Sequence, residues 1–592
     1  MKRVNKTNEV KLRIWPGIAA ASVIAVGLGL GIPLNLTMPA VAGIGMLGAL
    51  IGSIVVIVWW LFFSRVSRSE RWGAFAVLIA AWFAMRPFLD RSIIGGAMGA
   101  LPILTLPVLA VALVVWASTT QNSSTGIRRV SLVAAILIAC GLCTLVKTAG
   151  IRGGFFEFHL RWTPTPEERL LASGSDEPAP KASTEAPAAT ANTDTVAIPP
   201  PPLAPRKPAD WPGFRGPHRD GIVHDVRIEP DWSKSPPVEL WRRPIGPGWS
   251  SFAVDGDVFY TQEQRGNDEI VASYSLSTGK PVWKHRDAVR FYESNGGAGP
   301  RGTPTLLDGR VFAFGATGML NVLDAGTGAV IWSRNVSADS DVKVPTWGFS
   351  SSPLVIDDIV VVAAEGKLAA YDVATGKPRW SGPPEGTSYS SPHSMTIDGI
   401  PQIVQLRGNG ATSFAPAKGE VLWRNEFAGG AIVQPAVTPD GNILINSIGV
   451  TGGQGIRRLA IAHKSDAWTV DERWTSTGLK PYFNDFVVHN GHAYGFDGSI
   501  MSCIDLADGS RKWKGGRYGG GQLVLLADQD LLLVLSDEGE LALVSATPGE
   551  FKELARFKAI EGKTWSHPVL VHNILLVRNG EEMAAFRLAG PK

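Results

Sequence analysis

Three stretches of the chain repeat one another: Ser277-Thr278-Gly279-Lys280-Pro281-Val282-Trp283, Gly326-Thr327-Gly328-Ala329-Val330-Ile331-Trp332 and Ala374-Thr375-Gly376-Lys377-Pro378-Arg379-Trp380. Weaker copies end at Trp423 and Trp513, and Trp241, Trp474 and Phe557 close similar segments. These eight copies stand roughly 39–51 residues apart, a period that marks propellers and other repeat arrays. Between them run short alternating segments such as Val311-Phe312-Ala313-Phe314 and Ile359-Val360-Val361-Val362-Ala363, broken by Asp-Gly and Thr-Gly turns. Residues 211–592 therefore read as all-β, at about 48 residues per repeat, enough for a four-stranded blade. The last repeat, 567–588, has inner strands but no closing Trp, whereas the Trp241 segment has no inner strands before it. Together they make one blade and close a ring of eight, with seven as the alternative count.

Working outward, 592 residues exceed one core. Residues 1–150 form a transmembrane region with apolar stretches at 15–35, 41–63, 72–89, 98–117 and 130–147, each near the ~20 residues that span a bilayer as helix. Lys2, Arg3, Lys6, Lys11 and Arg13 precede the first; Arg65, Arg68 and Arg71 fill the second loop, and Arg128 and Arg129 the fourth. By the positive-inside rule this gives five spans, with the N-terminus in the cytoplasm and the propeller in the periplasm of a bacterial inner membrane. The long first span argues against a cleaved signal peptide. Residues 151–210 are a linker. Its 163–210 portion holds eleven prolines, ending in Pro199-Pro200-Pro201-Pro202, and reads as a semi-extended spacer. The net charge of +3 points away from nucleic acid, and three cysteines supply no disulfide framework.

The Trp-ending phrase resembles the repeat of pyrroloquinoline quinone (PQQ) propellers. That superfamily includes quinoprotein dehydrogenases and a non-enzymatic lipoprotein of outer-membrane-protein assembly. The opening Trp211-Pro212-Gly213-Phe214-Arg215-Gly216-Pro217-His218-Arg219-Asp220-Gly221 resembles the first motif of bacterial PQQ-like repeat proteins. The multi-span region before a propeller is similar in layout to membrane-bound quinoprotein glucose dehydrogenase. This chain departs from the dehydrogenases in its compact repeats and in lacking the adjacent cysteine pair of methanol dehydrogenases.

The repeat also locates a central rim. Polar clusters precede each innermost strand: Trp249-Ser250-Ser251, Arg301-Gly302-Thr303, Ser350-Ser351-Ser352, Ser390-Ser391-Pro392-His393, Val433-Gln434, Phe483-Asn484-Asp485, Gly520-Gly521-Gln522 and Trp565-Ser566-His567. In a propeller these starts share one rim, so Arg301, Ser351, Ser391, Gln434, Asn484, Asp485, Gln522 and His567 should converge. The competing reading is that Ser-Ser-Pro merely satisfies backbone groups at a crowded rim. Arg301, Asn484 and Asp485 argue harder for function, because such groups rarely repay burial without a partner.

If the resemblance extends to quinoprotein chemistry, it implies PQQ and Ca2+ as cofactors. Arg301 would then clamp the cofactor carboxylates, with Ser391, Gln434, Gln522 and His567 around it, and Trp249, Trp347 or Trp565 would stack on its ring. Asn484 and Glu293 would be metal ligands, Asp485 the base that takes the substrate hydroxyl proton, and Lys480 an electrophile. The repeat tryptophans, by contrast, should pack between blades. Cys140-x-x-Cys143 lies in an apolar helix and reads as small apolar residues, and the glycine-rich 515–521 run has no following helix to bind phosphate. Two functions remain open: a non-catalytic propeller binding a protein, peptide or glycan at its rim, and a dehydrogenase of alcohols or sugars that passes electrons to membrane quinone.

Overall fold

The computed structural model describes residues 13–34, 39–95, 100–152, 155–174, 207–449, 452–465 and 467–590. Lys2, Arg3, Lys6, Lys11 and the Pro199–Pro202 run lie outside them. The chain divides into two compact units, one of Met1–Thr165 with Tyr292–Gly297, the other of Pro166–Phe291 with Ala298–Lys592.

The first unit is helical: Trp15–Leu34, Pro39–Val58 running on into a π-helical turn at Trp59–Phe63, Arg68–Ala84, Ala100–Thr119 and Thr125–Thr144. The first two helices pack backbone to backbone. A Cβ on Gly27 would run into the Gly45 carbonyl oxygen, the close approach that small residues permit between apolar helices. Among the described residues Gly43–Phe63, Ala100–Thr119 and Thr125–Thr144 are long and apolar enough to cross a membrane, and the apolar helix from Trp15 brings the number to three or four. The expected five is thus corrected. The 72–89 stretch forms a 17-residue helix that opens on Arg68-Ser69-Glu70-Arg71 and ends before Arg86-Pro87, so charges shorten its apolar run. The 130–147 stretch keeps its helix to Thr144, after which Val146–Arg152 pairs with Phe155–Leu160 as a hairpin.

In the second unit the described residues form eight blade sheets, seven of four strands and one of five. Blades 1 to 7 occupy residues 253–287, 305–335, 354–381, 393–426, 436–476, 487–517 and 522–558. Blade 8 combines Val569–Val571, Ile574–Arg578 and Glu582–Arg587 with Val238–Pro244 as its outermost strand. Ring closure from both ends of the domain is as the sequence predicts. Every blade has the same strand order, so all eight innermost strands begin at one face, here the upper face.

The Trp-ending phrase is the inter-blade joint. Trp241, Trp283, Trp332, Trp380, Trp474 and Trp513 each donate their indole N–H to a backbone carbonyl in the next repeat, at 2.7–2.9 Å. Trp423 instead donates to Gln402 Oε1. At five joints the glycine of the following phrase lies against the preceding ring, Gly279, Gly328, Gly376, Gly419 and Gly509 on Trp241, Trp283, Trp332, Trp380 and Trp474: a Cβ on Gly328 would stand 2.6 Å from Trp283, and one on Gly376 the same distance from Trp332. Both glycines have φ near +70° (75° and 68°), so space and backbone conformation demand the same residue. A buried indole withdraws roughly 150–250 Å² from water, on the order of 4–6 kcal/mol per joint.

The linker is more ordered at its start than its composition suggests. Pro166–Ser173 is a helix held on blade 1, where both Glu167 oxygens accept from the Arg290 guanidinium (2.7 and 2.8 Å) and Oε1 also accepts from the Gly266 amide.

Candidate functional site

The polar clusters before the innermost strands form a closed hydrogen-bonded girdle. The Ser251 amide donates to Thr303 Oγ1, the Thr303 amide to Ser352 Oγ, and the Ser352 amide to Ser391 Oγ, at 2.9–3.0 Å. Gln434 Nε2 donates back to the Ser391 carbonyl (3.2 Å) and its amide faces Asp485 Oδ1 (3.5 Å). The Asp485 amide donates to Gln522 Oε1 (3.3 Å), and Gln522 Nε2 to the Trp565 carbonyl (3.3 Å). Ser251 Oγ donates to the His567 carbonyl (2.7 Å) and completes the circle. Each blade is thus tied to the next by a residue the repeat places just ahead of its inner strand. Ser391, Gln434 and Gln522 each bond a neighbouring blade through this girdle, and for Ser391 that is the kind of backbone contact the competing reading describes. Ser351 serves its own blade, accepting from the Ala363 amide.

Into this ring rises the opening motif. Trp211 bridges to Val254 of blade 1, the Pro212 carbonyl accepts from Leu306 of blade 2, and Arg219 donates to the Ser352 and Pro353 carbonyls of blade 3. Arg215 reaches the Phe486 carbonyl of blade 6 (2.6 Å), Ile222–Val223 pairs in parallel with Leu525–Leu526 of blade 7, and Phe214 meets His567 of blade 8 edge-on at 4.9 Å. A segment of thirteen residues (211–223) that touches six blades, at their innermost strands or the residues just ahead of them, lies across the axis of the ring. It plugs the lower part of the channel.

Asp485 joins plug and girdle. It is 1% exposed, with Oδ2 2.9 Å from His567 Nε2 and Oδ1 3.4 Å from Arg215 NH1. Burial alone would raise its pKa, but the Arg215 guanidinium and the His567 contact outweigh burial and hold the carboxyl below its ordinary range. Such a carboxylate is a weak proton acceptor, so the place expected for a catalytic base holds a structural ion pair. His393, buried beside the plug, is lowered to about 3 by burial and then by Arg219 and Arg215, and stays neutral.

The remaining predicted residues bind other partners. Asn484 Oδ1 caps its own turn through the Tyr482 amide (3.1 Å). Lys480 pairs with Asp497 (3.4 Å), which also binds Arg511 and Lys514 at 2.6 Å. Arg301 donates to the carbonyls of Ala298, Gly299 and Trp347 and covers the Phe291 ring at 4.9 Å. Glu293, in the first unit, accepts from the amides of Asn295 (2.6 Å) and Gly296. Trp249 and Trp565 pack together with centroids 4.8 Å apart, and Phe483 lies 5.0 Å from Trp565. Lys563 sits over both indoles at 5.3 and 4.3 Å. Trp347 packs on Tyr389 (5.0 Å), and its indole N–H has no acceptor among the described residues. The mouth is therefore aromatic and half-buried, with Lys563 and Arg301 as its cations.

These positions do not build a Ca2+ cage, which needs six to eight oxygens. The Asn484, Asp485 and Glu293 oxygens are committed to amides, an arginine and a histidine, and no three His, Cys, Asp or Glu side chains converge among the described residues. Trp249 and Trp565 face each other too closely to admit a ring, since a sandwiched plane needs faces about 7 Å apart.

Sequence reasoning missed Arg215 and Arg219, although two arginines inside a Pro/Gly-rich motif were a readable signal. It also missed Glu269, 3% exposed in blade 1. Burial lifts this carboxyl to about 7, against the Ala316 amide that donates to it at 2.8 Å, and Asp287 adds to the rise. Nothing in the alternating pattern of its strand distinguishes it.

Eight blades of one strand order, joined Trp to Gly, decide the fold. The second unit is an eight-bladed β-propeller. Residues 238–395 of this propeller match the family described as outer membrane protein assembly factor BamB. The chain is 31% identical over 174 residues to the dehydrogenase subunit of the quinone alcohol dehydrogenase of Komagataeibacter europaeus, a match over 25% of this chain and 22% of that protein. It thus spans about a fifth of that relative's length. It is 22% identical over 327 residues to BamB of Yersinia pestis, covering 52% of this chain and 70% of the relative. Among solved structures, BamB from Moraxella catarrhalis aligns over 60% of this chain and 100% of its own, at 12% identity and a TM-score of 0.43.

Proposed function

We propose that the protein is a membrane-anchored PQQ-like propeller whose upper mouth binds a protein, peptide or glycan without chemistry on it. The observation that carries this reading is the girdle. The polar rim side chains that a cofactor site would use are spent tying blades together, and the mouth above them keeps the Trp249–Trp565–Phe483 faces, the Trp347–Tyr389 pair and the cation Lys563. Flat aromatic surfaces with a few donors suit sugar rings and extended peptides. The similarity to assembly factors over most of their length supports a binding role. The propeller would stand on the periplasmic side of an inner membrane. With the N-terminus in the cytoplasm that requires an odd number of crossings, which reporter fusions after each helix would count.

The test uses the full chain in detergent micelles against glycan and peptide arrays. Trp249→Ala with Trp565→Ala should abolish any specific signal, while Lys563→Ala weakens it. Signal unchanged in the double variant would sink the reading.

The second reading is a PQQ-dependent oxidation of an alcohol or sugar with electrons passed to membrane quinone, favoured by the 31% identity to a quinone alcohol dehydrogenase subunit. PQQ with Ca2+ added to the same preparation would decide it: dye reduction lost on Asp485→Asn and Arg301→Ala supports oxidation, and no PQQ bound at micromolar concentration removes it.

A further inference from the structure

The plug leaves a cavity of about 600 Å³ at the lower face, between the opening motif and the ends of the inner strands of blades 1 to 3. That volume lies within the roughly 300–1,000 Å³ of small-molecule sites. Phe214, Tyr260, Leu306 and Leu354 give it apolar walls, and Arg219 and Arg310 stand among its lining residues.

The charges around it do not balance. The plug carries two guanidiniums, that of Arg215 buried and that of Arg219 half-buried, and Arg215 takes the buried carboxylate beside the plug, Asp485. Arg219 is left with the carbonyls of Ser352 (3.1 Å) and Pro353 (2.9 Å), and Arg310 with that of Val373 (3.2 Å). Neither forms an ion pair among the described residues, and the Nε of each is shut from solvent with no acceptor there. Asp255 and Asp308 also line the cavity, exposed to water and unpaired with these arginines. Burial, then the neighbouring Arg215, lowers the Arg219 pKa to about 9, which is what an unmatched cation in a low-dielectric wall experiences.

We infer that this lower cavity is a binding site for a small organic carboxylate with an apolar body. Its carboxylate would take the place of the missing counter-charge beside Arg219 and Arg310, where two guanidiniums offer forked donors. Its hydrocarbon part would lie along Leu306, Leu354 and Phe214. The site is on the opposite face from the aromatic mouth and stands or falls independently of the function proposed for that mouth.

Calorimetric titration of the full chain in detergent micelles tests it, with hexanoate as probe and hexanamide as its uncharged match. Saturable hexanoate binding is expected, with hexanamide about ten-fold weaker, a difference of about 1.4 kcal/mol. Arg219→Gln and Arg310→Gln should each weaken hexanoate several-fold, and Leu307→Trp, which fills the cavity from an exposed wall, should abolish it. Should Arg219→Gln fail to fold, Arg310→Gln and Leu307→Trp decide the matter. The inference is overturned by no saturable binding up to about 10 mM, by equal binding of the amide, or by binding that Arg310→Gln and Leu307→Trp leave unchanged.

Discussion

Arg215 of the opening motif and Asp485 before blade 6 meet 3.4 Å apart inside the channel, both side chains 2% exposed. One belongs to the first segment of the domain, the other to a blade near its end, so their pairing records completion of the ring. Removing one partner of a buried pair costs about 3–5 kcal/mol, because the survivor is left uncompensated. Arg215→Met and Asp485→Asn should each lower the unfolding free energy of the propeller by that amount. The double variant should lose less than the two singles added together, measured as a double-mutant cycle in urea.

Acid should loosen the same joint. The folded Asp485 pKa lies below its unfolded value, so the native state binds fewer protons there. Its contribution is present above the unfolded pKa of about 3.9 and is lost as pH falls through the folded value. Trp211 packs on Gly216 within the plug, so its fluorescence should report loosening below about pH 4 in the wild type, while Asp485→Asn is already loosened at neutral pH.

Glu269 should act with the opposite sign. Its folded pKa, about 7, exceeds its unfolded value of about 4.3, so the native state holds a proton that the unfolded chain has released. Stability from this group therefore falls as pH rises from about 4 to 7. Glu269→Gln should flatten the melting temperature between pH 5 and 8; an unaltered profile would contradict the assignment.

The inter-blade joint predicts a positional effect. Gly328→Ala puts a methyl 2.6 Å from the Trp283 ring at a φ of +75°, and should destabilise by about 1–3 kcal/mol. The same change at Gly256, with φ +59° but nothing within 4 Å, should cost only the backbone share. Comparing the two denaturation curves separates the steric part from the conformational one.

Ring closure has its own lock in Arg578 of blade 8, wholly buried, which donates to Thr261 Oγ1 (2.6 Å) and the Gln262 carbonyl (2.8 Å) of blade 1. Arg578→Met leaves those acceptors unpaired and should cost about 2–4 kcal/mol. Hydrogen exchange should quicken first in Val238–Pro244 and in Ile574–Arg578, the strands that close the ring.

The sequence by itself pointed to eight blades, to the closing blade and to the joints, because each arises from residues a fixed distance apart in one repeat; the structure chose eight over seven. Gly328 and Trp283 can be paired by counting alone. It also identified the polar rim, since the same count lands on Ser391, Gln434, Asp485 and Gln522. What those residues do was decided only by tertiary structure. Whether Asp485 serves as a base or an anchor depends on Arg215, which lies outside the repeat and whose position no periodicity reports. The number of described helices long and apolar enough to cross a membrane likewise turned on where Arg68-Ser69-Glu70-Arg71 falls within a helix. Short-range pattern fixes backbone and packing, whereas the charge state of a buried group is set by whatever the fold brings within a few ångströms of it.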